Sequence, residues 1–432
     1  MRVSPFSQLR AGADPVLTDA DALVTRDPTP FILRLQPEAQ ILVTSDHLMS
    51  TTGGREDELE EPTRAVASAW NIGYMYIRHD VLHAMLHWQQ MCSDRPDLWD
   101  QNLFKDVLKM GGLRFKDRVP AAVSSKRLFL GYNGTIAIGI LPVSSFCSGH
   151  TYFIQRMPQR RRIEAYSVHT TFQYSGAVGK THRLREAMLW EDEPGYYTPS
   201  QGLLSYTPTV DRSLIRPSGV MTVKAHFELV NQQLVQIRAA FMLARRLKRL
   251  LILPELVCGL DRFWAPHNGT IPGSDTKLPI DPCPADHVID LEAISRQAAP
   301  PFRGTVEGLL RESSFLSNPR LPYAIATSRK ELPPPTDLAP TTLAKELLTP
   351  QMEAIKVLHF TSMGDLFATL PPLEKENEMR RMNTWTSIWC CSVPLAPRKP
   401  GHVWYDLFWD VVPRKNRHNK LVDTPWEPTF GP

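Results

Sequence analysis

The segment Pro15-Val-Leu-Thr-Asp-Ala-Asp21 places two carboxylates directly after a short apolar run. In a β-strand, residues i and i+2 lie on the same face, so Asp19 and Asp21 can converge on one cation. Their oxygens suit Mg²⁺ or Mn²⁺, and an ion held there would stabilise a departing nucleotide diphosphate. The pair also follows an apolar run, and ligands bind at the carboxyl ends of strands in open α/β sheets. The segment therefore predicts a metal site at a sheet edge, with helix N-capping as the alternative role of these acids.

The chain around this segment alternates between predicted strands and predicted helices. Apolar runs at residues 41–44 and 72–77 predict two more strands, and residues 81–92 follow a helical period. Further along, residues 227–244 predict a long amphipathic helix, and residues 250–253 predict a buried strand. Strands that alternate with helices predict an α/β layer structure with a largely buried sheet.

Composition excludes several classes of protein. The 432 residues are 42% hydrophobic and 22% charged, which excludes a wholly disordered chain. A formal charge of +4 argues against a dedicated nucleic-acid binder. The most apolar stretch, residues 128–146, contains three glycines and Pro142, so it reads as strand and turn rather than as a membrane span. No targeting segment is predicted in this chain.

A second polar motif is Trp99-Asp-Gln-Asn102. Two interpretations of Asp100 remain open. One is the N-cap of a helix, because aspartate is favoured there. The other pairs Asp100 with Gln101 as a carboxylate and an amide that position sugar hydroxyls.

His169 begins a predicted strand at residues 167–174, and a glycine-rich loop, Gly176-Ala-Val-Gly-Lys180, follows. A lone histidine is more often structural than a ligand. The loop looks like the end of a P-loop but is not one, because Tyr174 occupies the position of the first glycine. Backbone amides there, together with Lys180, remain candidates to hold a phosphate.

The six cysteines show no Cys-x-x-Cys spacing, which makes a zinc site an unlikely interpretation. Cys258 and Cys283 flank a Pro/Gly-rich loop, and a crosslink between them would restrict a segment that has little else to order it. A disulfide requires an oxidising compartment. Two buried free thiols are the alternative if the chain stays in a reducing one.

The motifs together resemble those of plant extensin arabinosyltransferases, which belong to the nucleotide-diphospho-sugar transferases with the GT-A fold. The longest matching run extends from His169 through Lys180 to Ala187. The resemblance spans nearly the whole chain and is carried elsewhere by Asp19-Ala-Asp21, Arg26-Asp27-Pro28, Ser45-Asp46, Trp70-Asn71-Ile72-Gly73, Trp99-Asp100-Gln101-Asn102, Phe146-Cys147-Ser148-Gly149-His150, residues 230–262, Val357-Leu358-His359, Ile388-Trp389-Cys390-Cys391 and residues 401–410.

The resemblance implies a Golgi-lumenal, Mn²⁺-dependent (or Mg²⁺-dependent) retaining glycosyltransferase. The implied donor is UDP-L-arabinofuranose, and the implied acceptor is an arabinosylated hydroxyproline-rich cell-wall glycoprotein. The site residues that the resemblance implies are metal ligands Asp19, Asp21 and His169, catalytic residues Asp100 and Gln101, and substrate-binding residues Asp46, Asn71 and Lys180.

The resemblance also implies a mixed sheet flanked by helices, followed by a family-specific α/β region. We predict a GT-A-like domain at residues 1–215, the α/β region at 216–332, a Pro-rich linker at 333–350 and an aromatic-rich region at 351–432. Only eighteen residues precede Asp19, so we expect the domain to be N-terminally incomplete relative to the family. Two alternatives stay open: another pentosyl- or galactosyltransferase, and a catalytically silent protein that binds glycans.

Overall fold

A computed structural model describes residues 5–407 except 56, 68, 216–222, 262–268, 272, 297, 299–303, 336–339, 383–384 and 397–398. For residues 5, 223, 224, 341, 386–396 and 399–406 only the backbone is described. The chain forms two compact units, Met1–Phe172 and Gln173–Pro432. Within the described part of the chain, the helices are too short or too polar to cross a membrane.

The first unit contains two sheets with helices between their strands. The strands are β1 (Val16–Thr18), β2 (Ala22–Val24), β3 (Ile41–Ser45), β4 (Trp70–Ile77), β5 (Phe129–Gly131), β6 (Ile136–Ile140), β7 (Phe146–Ser148) and β8 (Ser167–His169). The α-helices are α1 (Pro5–Arg10), α2 (Thr29–Leu35), α3 (Pro62–Ala65), α4 (Leu82–Asp94), α5 (Asp100–Lys109), α6 (Ala121–Ser125) and α7 (Met157–Arg161).

The larger sheet of the first unit has the strand order β1-β4-β3-β6-β5. In this sheet β3 and β6 are parallel, and the other neighbours are antiparallel. The smaller sheet has the order β2-β8-β7, in which β7 and β8 are parallel and β2 and β8 are antiparallel. The predicted mixed α/β fold is therefore confirmed.

Strand β3 shows why this part of the chain forms a buried sheet. All five of its residues are buried, as expected for a strand that is covered on both faces. Ile41 and Val43 pack in the same apolar cluster as Phe104 of α5, whereas Leu42 packs in the cluster that contains Phe31 of α2. The alternation of side chains along the strand thus separates two cores, one on each face of the sheet.

The two predicted acidic ligands lie in the turn between β1 and β2, at the point where the chain passes from the larger sheet to the smaller one. The Asp19 N–H still donates to the Gly73 carbonyl of β4 at 3.0 Å, and the Ala22 N–H closes the turn on the Asp19 carbonyl at 3.1 Å. The prediction that both acids share one strand face is therefore wrong in its geometry. A turn, rather than strand alternation, lets them approach each other.

The second unit is built around a parallel sheet. Its strands are β9 (Leu203–Tyr206), β10 (Leu250–Ile252), β11 (Leu256–Cys258), β12 (Ile280–Cys283), β13 (Leu310–Arg311), β14 (Arg329–Leu332), β15 (Val357–Phe360), β16 (Thr386–Ala396) and β17 (Lys399–Asp406). Its α-helices are α8 (Gly176–Glu186), α9 (Pro194–Tyr197), α10 (Val223–Arg246), α11 (Leu291–Ser295), α12 (Tyr323–Thr327), α13 (Pro340–Leu347), α14 (Pro350–Ala354) and α15 (Pro372–Met382).

The parallel sheet has the order β13-β10-β9-β15-β14, and β11 with β12 and β16 with β17 form antiparallel pairs. The predicted long helix and the strand after it correspond to α10 and β10. The predicted disulfide is also confirmed: Cys258 of β11 and Cys283 of β12 are bonded, with Cα atoms 5.6 Å apart. The predicted domain boundaries stay predictions, and most of the predicted tail aromatics lie outside the described side chains.

Two local predictions after His169 are wrong. The predicted strand at residues 167–174 ends at His169, and the predicted glycine-rich loop forms the first turns of α8. Ser175 and Gly176 have φ angles of 70° and 56°, so the chain reverses there and enters the helix directly. A Cβ at Gly179 would lie 1.8 Å from the Tyr174 carbonyl oxygen, so this glycine permits a tight turn rather than a phosphate-binding loop.

Candidate metal centre and active site

The three side chains predicted as metal ligands converge in the first unit. His169 Nε2 lies 3.6 Å from Asp19 Oδ2 and 3.4 Å from Asp21 Oδ1. One ligand atom of each residue lies within 4.8 Å of the other two. The histidine side chain is 11% exposed, whereas the side chains of Asp19 and Asp21 are 52% and 28% exposed. The cluster therefore has a buried nitrogen side and an open carboxylate side.

Backbone pairing brings these distant residues together. His169 of β8 lies opposite Ala22 of β2. Directly after β8, the Thr170 N–H and hydroxyl both donate to the Asp21 carbonyl at 3.0 Å. The turn that carries both acids is thus bonded to the strand that carries the histidine, and the side chains share one side of that junction.

The donor set fits a divalent cation. Two carboxylates and one imidazole nitrogen are ligands that Mn²⁺ and Mg²⁺ accept in proteins. Neighbouring ligands that each lie about 2.1 Å from one ion are separated by about 3 to 4 Å, and the two histidine–carboxylate distances fall in this range. Among the residues that the structure describes, no other group of three His, Cys, Asp or Glu side chains converges in this way.

Asn71 and Asp46, predicted to bind substrate, lie directly behind the histidine. Asn71 Oδ1 is 3.0 Å from His169 Nδ1, and Asn71 Nδ2 donates to Asp46 Oδ1 at 3.0 Å. Burial raises the pKa of Asp46, an effect that the hydrogen bond from Asn71 and the nearby histidine oppose. The structure therefore joins two of the predicted substrate contacts to the predicted metal ligands in one polar network.

The two predicted catalytic residues begin α5. Gln101 Oε1 accepts a hydrogen bond from the Ile72 N–H of β4 at 3.2 Å, which ties this amide to the residue between Asn71 and Gly73. Asp100 is exposed and accepts the Gln101 N–H at 2.7 Å. Trp99 is the N-cap residue, so Asp100 lies in the first turn rather than at the cap. Gln101 thus borders the network around His169, whereas Asp100 faces solvent from the helix end.

Lys180, the predicted partner of the diphosphate, belongs to the second unit. It is a half-buried residue of α8. The other predicted site residues all lie in the first unit. The roles predicted for Lys180, Asp100, Gln101, Asp46 and Asn71 stay predictions.

Gly73 also contributes to the site, although the sequence motif that contains it predicts no role for it. A Cβ at this position would lie 2.1 Å from His169 Cε1 and 2.2 Å from His169 Nδ1. The imidazole therefore packs directly on the backbone of β4, which only glycine permits. A glycine inside an otherwise apolar strand is the sequence signal for such a close approach.

Comparisons with known proteins match the part of the chain that carries this site. Residues 7–184 match the family described as nucleotide-diphospho-sugar transferase, and they include all the predicted site residues. The chain is 34% identical over 430 residues to arabinosyltransferase XEG113 of Arabidopsis thaliana, and the alignment covers 94% of this chain and 64% of that protein. The chain thus spans just under two thirds of the length of this relative. No solved structure matches the chain significantly. The segment that carries the candidate site therefore matches the nucleotide-diphospho-sugar transferase family, and the resemblance to plant arabinosyltransferases is confirmed along almost the whole chain.

Proposed function

We propose that this chain is a retaining glycosyltransferase that moves L-arabinofuranose from a UDP-sugar to an arabinosylated, hydroxyproline-rich cell-wall glycoprotein. The convergence of Asp19, Asp21 and His169 carries the proposal. The reaction needs a divalent cation beside the departing diphosphate, and these residues offer the ligands for one. Similarity to a plant arabinosyltransferase supports the choice of sugar.

The predicted site residues have separate roles in this reaction. Asp19, Asp21 and His169 would hold Mn²⁺ or Mg²⁺, and such an ion would supply positive charge for the departing diphosphate. The role proposed for Lys180, a residue of the second unit, is to supply a further positive charge for the same group. Retention requires either a covalent intermediate or attack from the face that the diphosphate leaves.

We favour attack from the same face, with Gln101 as the stabilising residue. An amide is a poor nucleophile, but its oxygen stabilises the positive charge that develops on the sugar. In this scheme the departing diphosphate accepts the proton of the acceptor hydroxyl. Asp100 is the nearest carboxylate in sequence to Gln101 and is the candidate nucleophile of the covalent alternative. A glycosyl adduct on Asp100, trapped and detected by mass spectrometry, would select that alternative.

The proposed compartment is the Golgi lumen. The disulfide between Cys258 and Cys283 supports it, because disulfides persist in oxidising compartments and are rare in the cytosol.

The decisive experiment measures Mn²⁺-dependent UDP binding and arabinose transfer on the same preparation. The donor is UDP-L-arabinofuranose, and the acceptor is an arabinosylated hydroxyproline peptide. We expect Asp21→Ala to abolish both signals, because one oxygen ligand is lost and the diphosphate charge is left uncompensated. Asp117→Ala, an exposed aspartate in a short turn before α6, is the matched control and should change neither.

The same experiment separates the alternatives. Transfer from another UDP-pentose or from UDP-galactose, at a higher rate than from UDP-arabinofuranose, would reassign the donor. Glycan binding that needs neither Mn²⁺ nor UDP, with no transfer from any donor, would identify a silent glycan-binding protein. Full activity of Asp21→Ala in the presence of a chelator would remove the metal from the proposal.

A further inference from the structure

His169 has two ring nitrogens, and the structure gives them different partners. Nε2 faces Asp19 and Asp21, whereas Nδ1 lies 3.0 Å from Asn71 Oδ1. A histidine binds a metal through a nitrogen that carries no proton, so the proton of the neutral ring must be on the other nitrogen. Whatever fixes the proton on Nδ1 therefore prepares Nε2 as a ligand.

The orientation of the Asn71 amide decides where that proton lies. The Gly73 N–H donates to Asn71 Oδ1 at 2.8 Å, which identifies this atom as the oxygen. The amide nitrogen donates to Asp46 Oδ1 at 3.0 Å, and a carboxylate there favours a donor. Both contacts select the same orientation of the amide. An oxygen cannot donate, so the hydrogen bond to Asn71 requires the proton on His169 Nδ1 and leaves the lone pair of Nε2 on the side of the two acids.

Packing makes this arrangement stiff. As whole residues, Asn71 is 5% exposed and His169 is 8% exposed, so water competes little for their polar atoms. The ring also lies against the bare backbone of Gly73, which blocks its movement toward β4. Some residues hold a metal-ligating histidine by a hydrogen bond to its second nitrogen. Removing such a residue typically lowers the metal affinity by about 10- to 100-fold.

We propose that Asn71 and Asp46 are positioning residues for the divalent cation, acting through His169. Asp46 orients the Asn71 amide, Asn71 holds the Nδ1 proton, and Nε2 is thereby directed to the ion. This assignment rests on the proposed metal site. It differs from the substrate-binding roles that the resemblance implies for both residues.

The test is a double-mutant cycle on Mn²⁺ affinity, measured with purified chain by the electron paramagnetic resonance signal of free Mn²⁺, with and without UDP. We expect Asn71→Leu to weaken Mn²⁺ binding by about 10- to 100-fold and Asp46→Ala by a smaller factor. In a His169→Ala background, Asn71→Leu should have no further effect on Mn²⁺ affinity, because its action passes through the missing ring. A merely structural role would not produce this dependence.

The control is Thr44→Val. The Thr44 hydroxyl donates to the Asn71 backbone carbonyl at 2.6 Å, so the variant disturbs the same residue without touching its side chain. Each variant is checked for folding by circular dichroism, and Asp46→Ala carries the test alone if Asn71→Leu does not fold. The proposal is overturned if a folded Asn71→Leu or Asp46→Ala chain binds Mn²⁺ as the wild type does while His169→Ala does not. It is also overturned if Asn71→Leu weakens Mn²⁺ binding equally with and without His169.

These outcomes are distinct from failure of the proposed function. A wild-type chain that binds Mn²⁺ through His169 but transfers no arabinose would contradict the proposed activity and leave the cycle informative. A wild-type chain that binds no Mn²⁺, with or without UDP, would contradict both. Loss of arabinose transfer in Asn71→Leu with normal Mn²⁺ affinity would return Asn71 to a substrate-binding role.

Discussion

Each unit of the molecule contains a histidine beside carboxylates, and the two clusters differ in burial. In the first unit, the candidate metal site consists of His169 and two partly exposed carboxylates. In the second unit, Arg183 donates to Asp286 at 2.8 Å and to His287 Nδ1 at 3.0 Å, and all these side chains are fully buried. The buried cluster thus carries its own positive charge. This buried acid–histidine cluster is neutralised within the protein, whereas the partly exposed carboxylates of the first unit are accessible to a cation from solvent.

The proton positions on the two histidines also differ. Arg183 can only donate, so Nδ1 of His287 accepts and its proton lies on Nε2, which is 3.6 Å from Asp261. His169 has the opposite arrangement, with the proton on Nδ1 and the lone pair on the side of the acids. The His287 ring therefore packs among fixed charges, whereas the His169 ring directs the lone pair of Nε2 toward the two acids.

The largest expected effect on stability is at Asp286. Asp286→Ala leaves the guanidinium of Arg183 buried without its carboxylate, and breaking a buried pair in this way costs about 3 to 5 kcal/mol of unfolding free energy. Chemical denaturation measures this loss. Glu376→Ala on the exposed face of α15 is the control and should cost less than about 0.5 kcal/mol. If Asp21→Ala destabilised the chain as much as Asp286→Ala, the distinction between the two clusters would fail.

The second-largest expected effect on stability comes from the disulfide between Cys258 and Cys283. Cys258 and Cys283 are 25 residues apart, and closing a loop of that size contributes about 3.5 kcal/mol in the chain-entropy model. The double variant Cys258→Ser/Cys283→Ser should lose this amount in chemical denaturation, and reductant should then have no further effect. Cys92→Ser, at a half-buried free cysteine, should keep the wild-type sensitivity to reductant. Equal stability of the wild type with and without reductant would contradict the expectation.

The next prediction separates catalysis from binding at Gln101, a predicted catalytic residue of the first unit. Gln101→Ala should lower kcat by about 10²-fold, the scale for loss of one electrostatic stabiliser, with UDP and Mn²⁺ affinities near normal. Steady-state kinetics with UDP-arabinofuranose and calorimetric titration of UDP measure the two quantities. Asn102→Ala, the exposed neighbour on the same helix, is the matched control. An equal loss of UDP affinity in Gln101→Ala would indicate a role in binding instead.

Acid should produce the smallest effect. Burial raises the pKa of Asp286, but Arg183 and His287 more than offset this, so the pKa lies well below its ordinary value. As the pH is lowered, this carboxylate therefore takes up its proton in the unfolded chain before it does so in the folded chain. Its contribution to the free energy of unfolding is present above about pH 4 and falls by about 1 kcal/mol at pH 3. Unfolding free energies between pH 3 and 6 test this. Asp286→Asn should flatten the slope, and an unchanged slope would assign the acid sensitivity to other carboxylates.

The sequence predicts the parts of this fold that depend on local pattern. The buried strand β3 and the long helix α10 appear in apolar periodicity, because burial on one or both faces requires it. Arg249, directly after α10, shows what local pattern leaves out. It lies in a basic stretch of the sequence, yet it is 8% exposed and donates to the carbonyls of Met352 and Ile355. Such partners lie a hundred residues away, so local pattern does not reveal them.

In the candidate site, too, some features follow from local sequence and others depend on distant partners. Asp19, Asp21 and His169 are found through motifs, but the hydrogen bonds that join Asn71 to His169 and Gln101 to Ile72 depend on the packing of β4 against β8 and α5. The role of Gly73 likewise becomes visible only when the imidazole is seen against its backbone. Sequence motifs therefore identify the candidate ligands, whereas the residues that contact and orient these ligands are identified only in the tertiary structure.

The pairing of Thr170 with Asp21 joins residues 149 positions apart and has a consequence for the order of folding. Contacts of such long sequence separation form late, because the loop between them must close first. A nascent chain holds both acids early in synthesis but gains the histidine only when β8 has emerged from the ribosome. Tight binding at the proposed metal site would therefore require the finished first unit. Mn²⁺ affinity would then report when that unit has folded, independently of whether sugar transfer takes place.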